Sequence, residues 1–295
     1  MDSLCGLQNI GNTCYMNSAL QIIVNCTVLT KVILSNNFIS PKLNIFKKFL
    51  MDYKNNITIN PIAIKNLVGE KNNQFLNFQQ HDSHEFLISL IEIIEEEFKN
   101  ESEINPNPIT INGIKLQNLT SSIFDTTVSS IIYSEETGEK SKTKVGEKIL
   151  SLPISKNDNT TLENCIDLYS KIEKLSGTEQ WLSQKENRYI DAYKRLYLKS
   201  LPKYLLLQLK RFTFFTNSNK NNKDVKAPIN FIIRNNSYQL RGIIYHIGGA
   251  NGGHYVSVIF YNNKWHLCDD NSVNEISNID QFLNKGYIYL YVKQK

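Results

Sequence analysis

The sequence predicts an α+β fold, a helical N-terminal lobe packed against an antiparallel sheet lobe. Three observations predict it. Apolar residues recur at helical spacing before Lys99, and apolar and aromatic runs of strand length dominate from about Ile114 onward. Between the two regimes lies a polar, proline-bearing stretch, Glu101 to Gly113, that reads as a linker.

The elements follow in order. Cys14 to Val24 carries Tyr15, Ala19, Ile22 and Ile23 at helical spacing, with Asn12 or Thr13 available as the N-cap. His81 to Lys99 is the clearest helix: Phe86, Leu87, Leu90, Ile91, Ile94 and Phe98 form one stripe opposite a glutamate-rich face. Asp82 followed by Glu85 has the form of a capping box at its start. Leu201 to Phe215 is an apolar and aromatic run around Lys210 and Arg211, where one charge is expected at the surface and the other's stem packed. Thr216 to Lys226 reads as a polar loop. Tyr238 to Tyr245, His254 to Tyr261, Lys264 to Cys268 and Tyr287 to Val292 are further strands, and Asn157 to Leu198 is an amphipathic interruption expected to be helical. Asn262-Asn263 stands between two strands, where a type I′ turn wants residues that tolerate positive φ.

Composition excludes several classes. Hydrophobic residues are 41% of 295 and charged residues 21%, ordinary globular usage that argues against wholesale disorder. No apolar run reaches the ~18 to 20 residues that cross a bilayer, so no membrane partner is expected. Met1 to Gly6 has no basic or apolar region of a secretory signal. The net charge of +5 is mild and scattered, which points away from nucleic acid. Asn, at 37 residues, reads with the abundant Ile and Lys as codon bias rather than function. The cysteines, Cys5, Cys14, Cys26, Cys165 and Cys268, are odd in number and contain no C-x-x-C pair. That opposes a disulfide framework and a thiolate zinc knuckle, and favours a reducing compartment, cytoplasmic or nuclear.

Three pieces can do chemistry together. Cys14 opens a helix, where the macrodipole favours thiolate over thiol, and its preceding loop holds Gly6, Asn9, Gly11, Asn12 and Thr13, the amides and backbone an oxyanion hole needs. Taken alone, Cys14 reads as a buried structural cysteine, and its helix-start placement does little to change that. The run Gly248-Gly249-Ala250-Asn251-Gly252-Gly253 opens onto a strand that begins with His254. If Asn262-Asn263 is a two-residue turn, Tyr261 pairs with Lys264, and His254 lies opposite Asn271 with Asp269 as its diagonal neighbour on the same face. Asp269 or Asn271 then orients the imidazole, Asp270 points to the other face, and Cys268 faces away as packing. A Cys, a His and an acid so arranged follow thiol-protease logic.

The motifs resemble those of the ubiquitin-specific protease family. Gly6 to Gln21, GLQNIGNTCYMNSALQ, is similar to its cysteine box, and QQHDSHEF from Gln79 to a second box. LPKYLLLQLKRF from Leu201 resembles a third, and Tyr245 to Val273, with GGHYVSV, Trp265 and CDDNSV, its histidine box. The resemblance implies a papain-like right hand over residues 1–295: a helical thumb at about 1–104 and a palm at about 105–295, with fingers inserted at about 125–198. It implies Cys14 as nucleophile, His254 as base, Asp269 as third triad member, Asn9 as the oxyanion-hole amide and Asp270 as an assisting acid near the oxyanion. Asp82 and Glu85 match positions near the arginines of ubiquitin's tail, and Gln80, His246 and Tyr255 match tail-lining or loop positions. The Asp82–Glu85 pair reads equally as the N-terminal cap of its helix. The implied activity is hydrolysis after ubiquitin's C-terminal glycine, with ubiquitin and ubiquitinated proteins as partners and the enzyme a monomer.

Two features stand apart from the family pattern. Many members carry two C-x-x-C pairs at the fingertips that bind structural zinc, whereas the matching positions, Ser134 to Thr137 and Ser183 to Glu186, hold no thiol. No metal and no cofactor are therefore expected, and the fingers are expected to be short and reorganised. His81 and His84 could be misread as ligands; a solvated helix face is expected instead.

Overall fold

The computed structural model describes residues 4–107, 109–156, 158–213 and 219–294. Met1 to Ser3, Pro108 and Asn157 lie outside the described residues, as do the end of the Leu201–Phe215 run and the start of the Thr216–Lys226 loop.

Five helices build the N-terminal part: α1 (Cys14–Val24), α2 (Thr27–Ser35), α3 (Pro41–Asn55), α4 (Ile62–Lys71) and α5 (Ser83–Ile104). The first has the bounds its periodicity predicts, and every one of its residues is buried. It runs between α5 and the strand Gly253–Tyr261 and packs on both, which is why it is apolar nearly all round. Truncating Ile22 or Ile23 there to Ala costs about 2–5 kcal/mol, transfer and cavity together.

Helix α5 buries the whole expected stripe. It starts at Ser83 because Asp82 is its cap, with Oδ1 accepting the N–H of His84 at 2.7 Å and of Glu85 at 3.2 Å. Only half of the expected capping box forms, since Glu85 accepts from Gln74 Nε2 (3.1 Å) instead of turning back to Asp82. The helix continues past Lys99 to Ile104 because Glu97 and Glu101 have work inside the fold. Glu101 accepts the N–H groups of Ile39 and Ser40, and Glu97 accepts Ser40 Oγ, so both buried carboxylates anchor the start of α3. The linker therefore begins at Asn105.

Beyond it a short helix, α6 (Leu119–Phe124), precedes an eight-stranded sheet. Strands Ser272–Ile276, Lys264–Asp269, Gly253–Tyr261, Asn236–Gly248, Ile288–Lys293, Tyr204–Leu209 and Ile149–Leu152 lie side by side in that order, with Asn230–Ile233 beside Asn236–Gly248. Tyr204–Leu209 and Ile149–Leu152 pair in parallel, so the sheet is mixed rather than wholly antiparallel. Alternation divides its side chains: Ile244, Ile259 and Leu290 join the core under the helices, while Ile243, Val258 and Tyr289 join a second core on the opposite face. Asn262 and Asn263 have φ of 48° and 62°, the two positive values a type I′ turn requires, and Tyr261 pairs with Lys264 as expected.

The expected helical interruption at 157–198 is a correction. Among the described residues there, α7 (Leu162–Tyr169), set by a capping box between Thr161 and Asn164, is the one α-helix, with a single 3-10 turn at Gly177–Glu179. Glu173–Leu175 and Ala192–Ser200 join Thr126–Tyr133 and Lys140–Glu147 in a four-stranded sheet, because Leu196 and Leu198 alternate with Tyr197 and Lys199 at period two. A last helix, α8 (Asp280–Lys285), precedes the final strand.

Arg211 also departs from expectation. Its charge is buried along with its stem, with Nε donating to Gly286 O (2.8 Å), Nη1 to Asn221 O and Lys223 O, and Nη2 to Asn284 O. A guanidinium fork suits several carbonyls at once, and here it ties two loops together. Lys210 takes the exposed place.

Candidate active site

The loop before α1 is organised by Asn9. Its Oδ1 accepts the N–H groups of Gly11 and Thr13, both at 3.1 Å, while Thr13 Oγ1 accepts from Ile10 N at 3.0 Å. Gly11 has φ +112°, and a Cβ there would meet Phe78 Cδ1 at 2.9 Å. The chain is thereby turned so that Cys14 begins the helix. The Cys14 thiol is 4% exposed. Burial pushes it above its ordinary value; the Tyr255 amide pulls it down, Asp270 pushes it up, and the amides of Tyr15 and Cys14 itself pull it down. The balance is upward, so the helix start alone does not produce the thiolate expected from the sequence. A base must take the proton.

His254 is the second residue of strand Gly253–Tyr261, directly before Tyr255. Its Nε2 lies 2.6 Å from Asp269 Oδ1. That assigns the Nε2 proton to the carboxylate and leaves Nδ1 as the ring nitrogen with a free lone pair. Of the two residues that hairpin parity leaves open, the acid is Asp269, and the pairing does not extend to Asn271. The ladder runs from Tyr261↔Lys264 to Ser257↔Cys268, after which the chain folds back so that Asp269 pairs with Ser272. Asp270 sits in that turn with φ 48°. Cys268 is buried as core and pairs with Ser257 across the ladder rather than entering the site.

Asp270 points away from the imidazole's hydrogen bond and toward α1. Its Oδ2 accepts from Asn9 Nδ2 at 2.8 Å and its Oδ1 from Asn17 Nδ2 at 2.7 Å. Asn17 also donates to Leu7 O and Gln8 O. The main chain interlocks at the same point: Leu7 N donates to Asp270 O at 2.8 Å, and a Cβ on Gly6 would meet Asn271 O at 2.2 Å. Asn17 was not singled out from the sequence. Its signal is a polar amide one turn beyond Cys14, in line with Thr13 and Gln21 on a helix that is otherwise mostly apolar.

A cation does not fit the acids of this site. His254, Asp269 and Asp270 bring ligand atoms within 4.8 Å of one another, but Nε2, Asp269 Oδ1 and both Asp270 oxygens already have partners.

Beside the imidazole lies a slot of 160 Å³ between the loop entering α5 and the glycine-rich loop, lined among others by Gln80, Asp82, Phe212, His246 and Tyr255. Gln80 holds the glycine-rich loop from across the slot, Nε2 donating to Gly253 O (3.0 Å) and Oε1 accepting Gly253 N (3.1 Å). A Cβ on Gly253 would meet Ile247 O at 2.1 Å, so glycine is required just before His254. His246 lies between Phe212, edge-on at 5.1 Å, and Tyr255, tilted at 4.6 Å, and burial, with Lys220 and His254 nearby, drops it to about 4. It lines the slot as a neutral ring. Asp82 Oδ2 accepts from Tyr287 at 2.7 Å and Tyr255 at 3.4 Å while Oδ1 caps α5, so this carboxylate is engaged inside the protein. Glu85, more exposed, keeps a carboxylate toward solvent with one partner, Gln74.

His81 and His84 do not form the solvated face the sequence suggests. The His81 ring meets Tyr15 and Phe75 edge-on at 5.3 and 5.2 Å, and burial lowers both histidines from their ordinary value. They pack the approach to α5.

At the far tip of the four-stranded sheet, the turns at Ser134 to Thr137 and Ser183 to Glu186 come together, as the resemblance places them. The donor set there does not fit zinc. Ser134 and Ser183 are buried hydroxyls, and Glu139 bridges the turns by accepting Ser183 Oγ and the Gln184 N–H (3.1 Å). Glu136 pairs with Arg188 alongside.

Comparison with known proteins agrees with this geometry. A family model described as ubiquitin carboxyl-terminal hydrolase matches residues 5–291. The chain is 26% identical to ubiquitin carboxyl-terminal hydrolase 4 of Arabidopsis thaliana, over 97% of this chain and 92% of that protein. Its structure matches a chain of the SAGA DUB module Ubp8/Sgf11/Sus1/Sgf73 bound to monoubiquitin, with TM-score 0.80 and 24% identity, covering 99% of this chain and 69% of that one. The same module bound to ubiquitin aldehyde gives TM-score 0.80 with 70% of that chain covered. The α+β, papain-like fold is thereby established.

Proposed function

The chain belongs to the ubiquitin carboxyl-terminal hydrolase family and is a cysteine-type deubiquitinase; from that premise we propose that Cys14, His254 and Asp269 hydrolyse the peptide or isopeptide bond after ubiquitin's C-terminal glycine. One observation carries the assignment of roles: the His254 Nε2–Asp269 contact fixes the tautomer and frees Nδ1 on the strand that packs against the start of α1.

His254 Nδ1 takes the thiol proton, and Cys14 Sγ attacks the glycine carbonyl carbon. The oxyanion that forms meets the amide of Asn9, whose second N–H remains after the bond to Asp270, and the helix-start N–H of Cys14. Collapse breaks the C–N bond, the imidazolium gives its proton to the leaving amine, and a thioester remains on Cys14. Water, deprotonated by the same nitrogen, then releases the carboxylate and restores the thiol. Asp270 holds Asn9 in place from the far side. The tail of ubiquitin lies in the slot between Gln80 and the glycine-rich loop, with Glu85 free to meet a basic side chain at its entrance.

The test is reaction with ubiquitin and ubiquitin-like probes bearing a C-terminal electrophile, followed by mass spectrometry. Capture of ubiquitin on Cys14 is expected. Capture of another modifier in its place, or an adduct on Cys5 or Cys268, overturns the reading.

A further inference from the structure

A second cavity, of 540 Å³, opens at the other end of α1. Val24 and Asn25 line it, whereas Cys14 begins the helix, and the 11-residue helix puts its two ends about 15 Å apart. One face of α2, the end of α3 and four palm strands form its walls. Its volume lies in the range of small-ligand sites.

The charges around it are of one sign. Lys31, Lys54 and Arg241 line the cavity and no carboxylate does. Among the described residues, none of the three side chains has an ion pair or a hydrogen bond; Lys31 and Lys54 are exposed, and half-buried Arg241 lacks the acid that half-buried Lys148 finds twice. Arg241 has been brought there by a distortion of the sheet. It is the extra residue of a bulge between Leu240, which pairs with Tyr291, and Gly242, which pairs with Leu290. Bulges re-aim the side chain that leaves the ladder. The Arg241 guanidinium lies 4.8 Å from the Phe260 ring centre, and burial lowers it from its ordinary value with no acid to offset the loss of water. A partly desolvated cation that has a ring face but no counter-charge is costly in a folded chain and is retained where something else supplies the anion.

We propose that this cavity is a binding site for an aryl phosphate monoester. Three positive groups call for a dianion rather than a single carboxylate, and an arginine fork flanked by two lysines is the donor set that phosphate accepts best. Tyr204, Phe260 and Tyr261 supply aromatic walls for the body of the ligand. Such a group arrives as a free small molecule or as a phosphotyrosine side chain. Neither touches the proposed catalytic residues.

The experiment titrates the full chain with phenyl phosphate, followed by amide NMR shifts, with inorganic phosphate and benzoate in parallel. Phenyl phosphate is expected to bind at least about fivefold more tightly than either, shifting residues of α2 and of the Arg241 strand, and less tightly as salt is raised. Arg241→Gln is expected to weaken it about tenfold or more, the size of a lost charge-assisted hydrogen bond. Should that variant fold poorly, the double variant Lys31→Gln/Lys54→Gln, at two exposed positions, carries the same test with a several-fold loss. Turnover of a ubiquitin substrate without phenyl phosphate should be the same in all variants. A phosphotyrosine peptide that binds more tightly than phenyl phosphate assigns the site to a protein partner, and one that binds equally assigns it to a free ligand. Equal binding of the unphosphorylated peptide, no binding of phenyl phosphate below ~10 mM, or affinity indifferent to both sets of substitutions overturns the proposal.

Discussion

Asp270 and Glu139 each tie together chain segments far apart in sequence, one beside the imidazole and the other at the tip of the four-stranded sheet, and their surroundings differ. Asp270 accepts two side-chain amides, Asn9 and Asn17, and is clamped through its main chain by Leu7 and by the close approach of Gly6. Glu139 accepts one hydroxyl and one N–H across two exposed turns, with an ion pair of half-exposed Glu136 and Arg188 as its support. A carboxylate in the first setting fixes atoms to within the tolerance that catalysis needs, and one in the second fixes a shape. Perturbing the two regions should therefore separate chemistry from grip.

The largest effect belongs to the thiol. Cys14→Ala should abolish turnover and probe capture while ubiquitin binding, measured by calorimetry, persists. Residual labelling at another cysteine would break the assignment.

Next come the two acids, which should part in direction as well as size. Asp269→Ala removes the partner of His254 Nε2 and is expected to lower kcat by about 10²- to 10⁴-fold, the usual worth of a positioned base, with KM little changed. Asp269→Asn should retain part of that, since its amide oxygen still accepts the Nε2 proton. Asp270→Asn disturbs Asn9 and Asn17 and should cost about 10²-fold through the oxyanion. Thiol alkylation against pH distinguishes them. Asp270 raises the Cys14 thiol, so neutralising it should move the profile to lower pH. Asp269 stabilises the imidazolium that would pair with the thiolate, so Asp269→Asn should move it to higher pH. Shifts of the same sign in both variants would mean that the two acids do not have separate roles.

The same contrast explains what could be read from the sequence. Near Cys14 and His254 local rules and tertiary packing agree: the α1 periodicity marks its bounds, and two asparagines of positive φ set a hairpin register that narrows the orienting group to Asp269 or Asn271. What escaped were contacts between distant segments. Asn17 is identified by its distance from Asp270, which no local pattern encodes, and the fold-back at Asp270 ended the ladder before Asn271 could face His254. Residues 157–198 misled because Leu162 to Tyr169 does carry a helical pattern, beside strands whose lysines and tyrosines blur the alternation. Residue type puts His81 on a solvated face and allows only a packed stem for one of Lys210 and Arg211, whereas aromatic rings and carbonyl groups contributed by other segments cover His81 and the whole of Arg211.

The smallest expected effect is at the sheet tip, and it decides whether the tip acts through shape. Glu139→Gln keeps the size of the side chain and one acceptor oxygen, while Glu139→Ala removes both contacts to the second turn. A charge-assisted pair of hydrogen bonds at a partly exposed site is worth about 1–3 kcal/mol, and loosening the turn taxes substrate binding rather than the bond-breaking step. KM for a ubiquitin substrate should rise about twofold to tenfold in Glu139→Ala and less in Glu139→Gln, with kcat and the alkylation profile unchanged. Because Ser134 and Ser183 supply hydroxyls where thiolates would be needed, a chelator should leave the melting temperature of the parent protein unmoved, and elemental analysis should find no stoichiometric zinc. A fall in kcat without a rise in KM in Glu139→Ala would show that the tip reaches the reacting atoms, and the division between a region that positions chemistry and one that holds shape would fail.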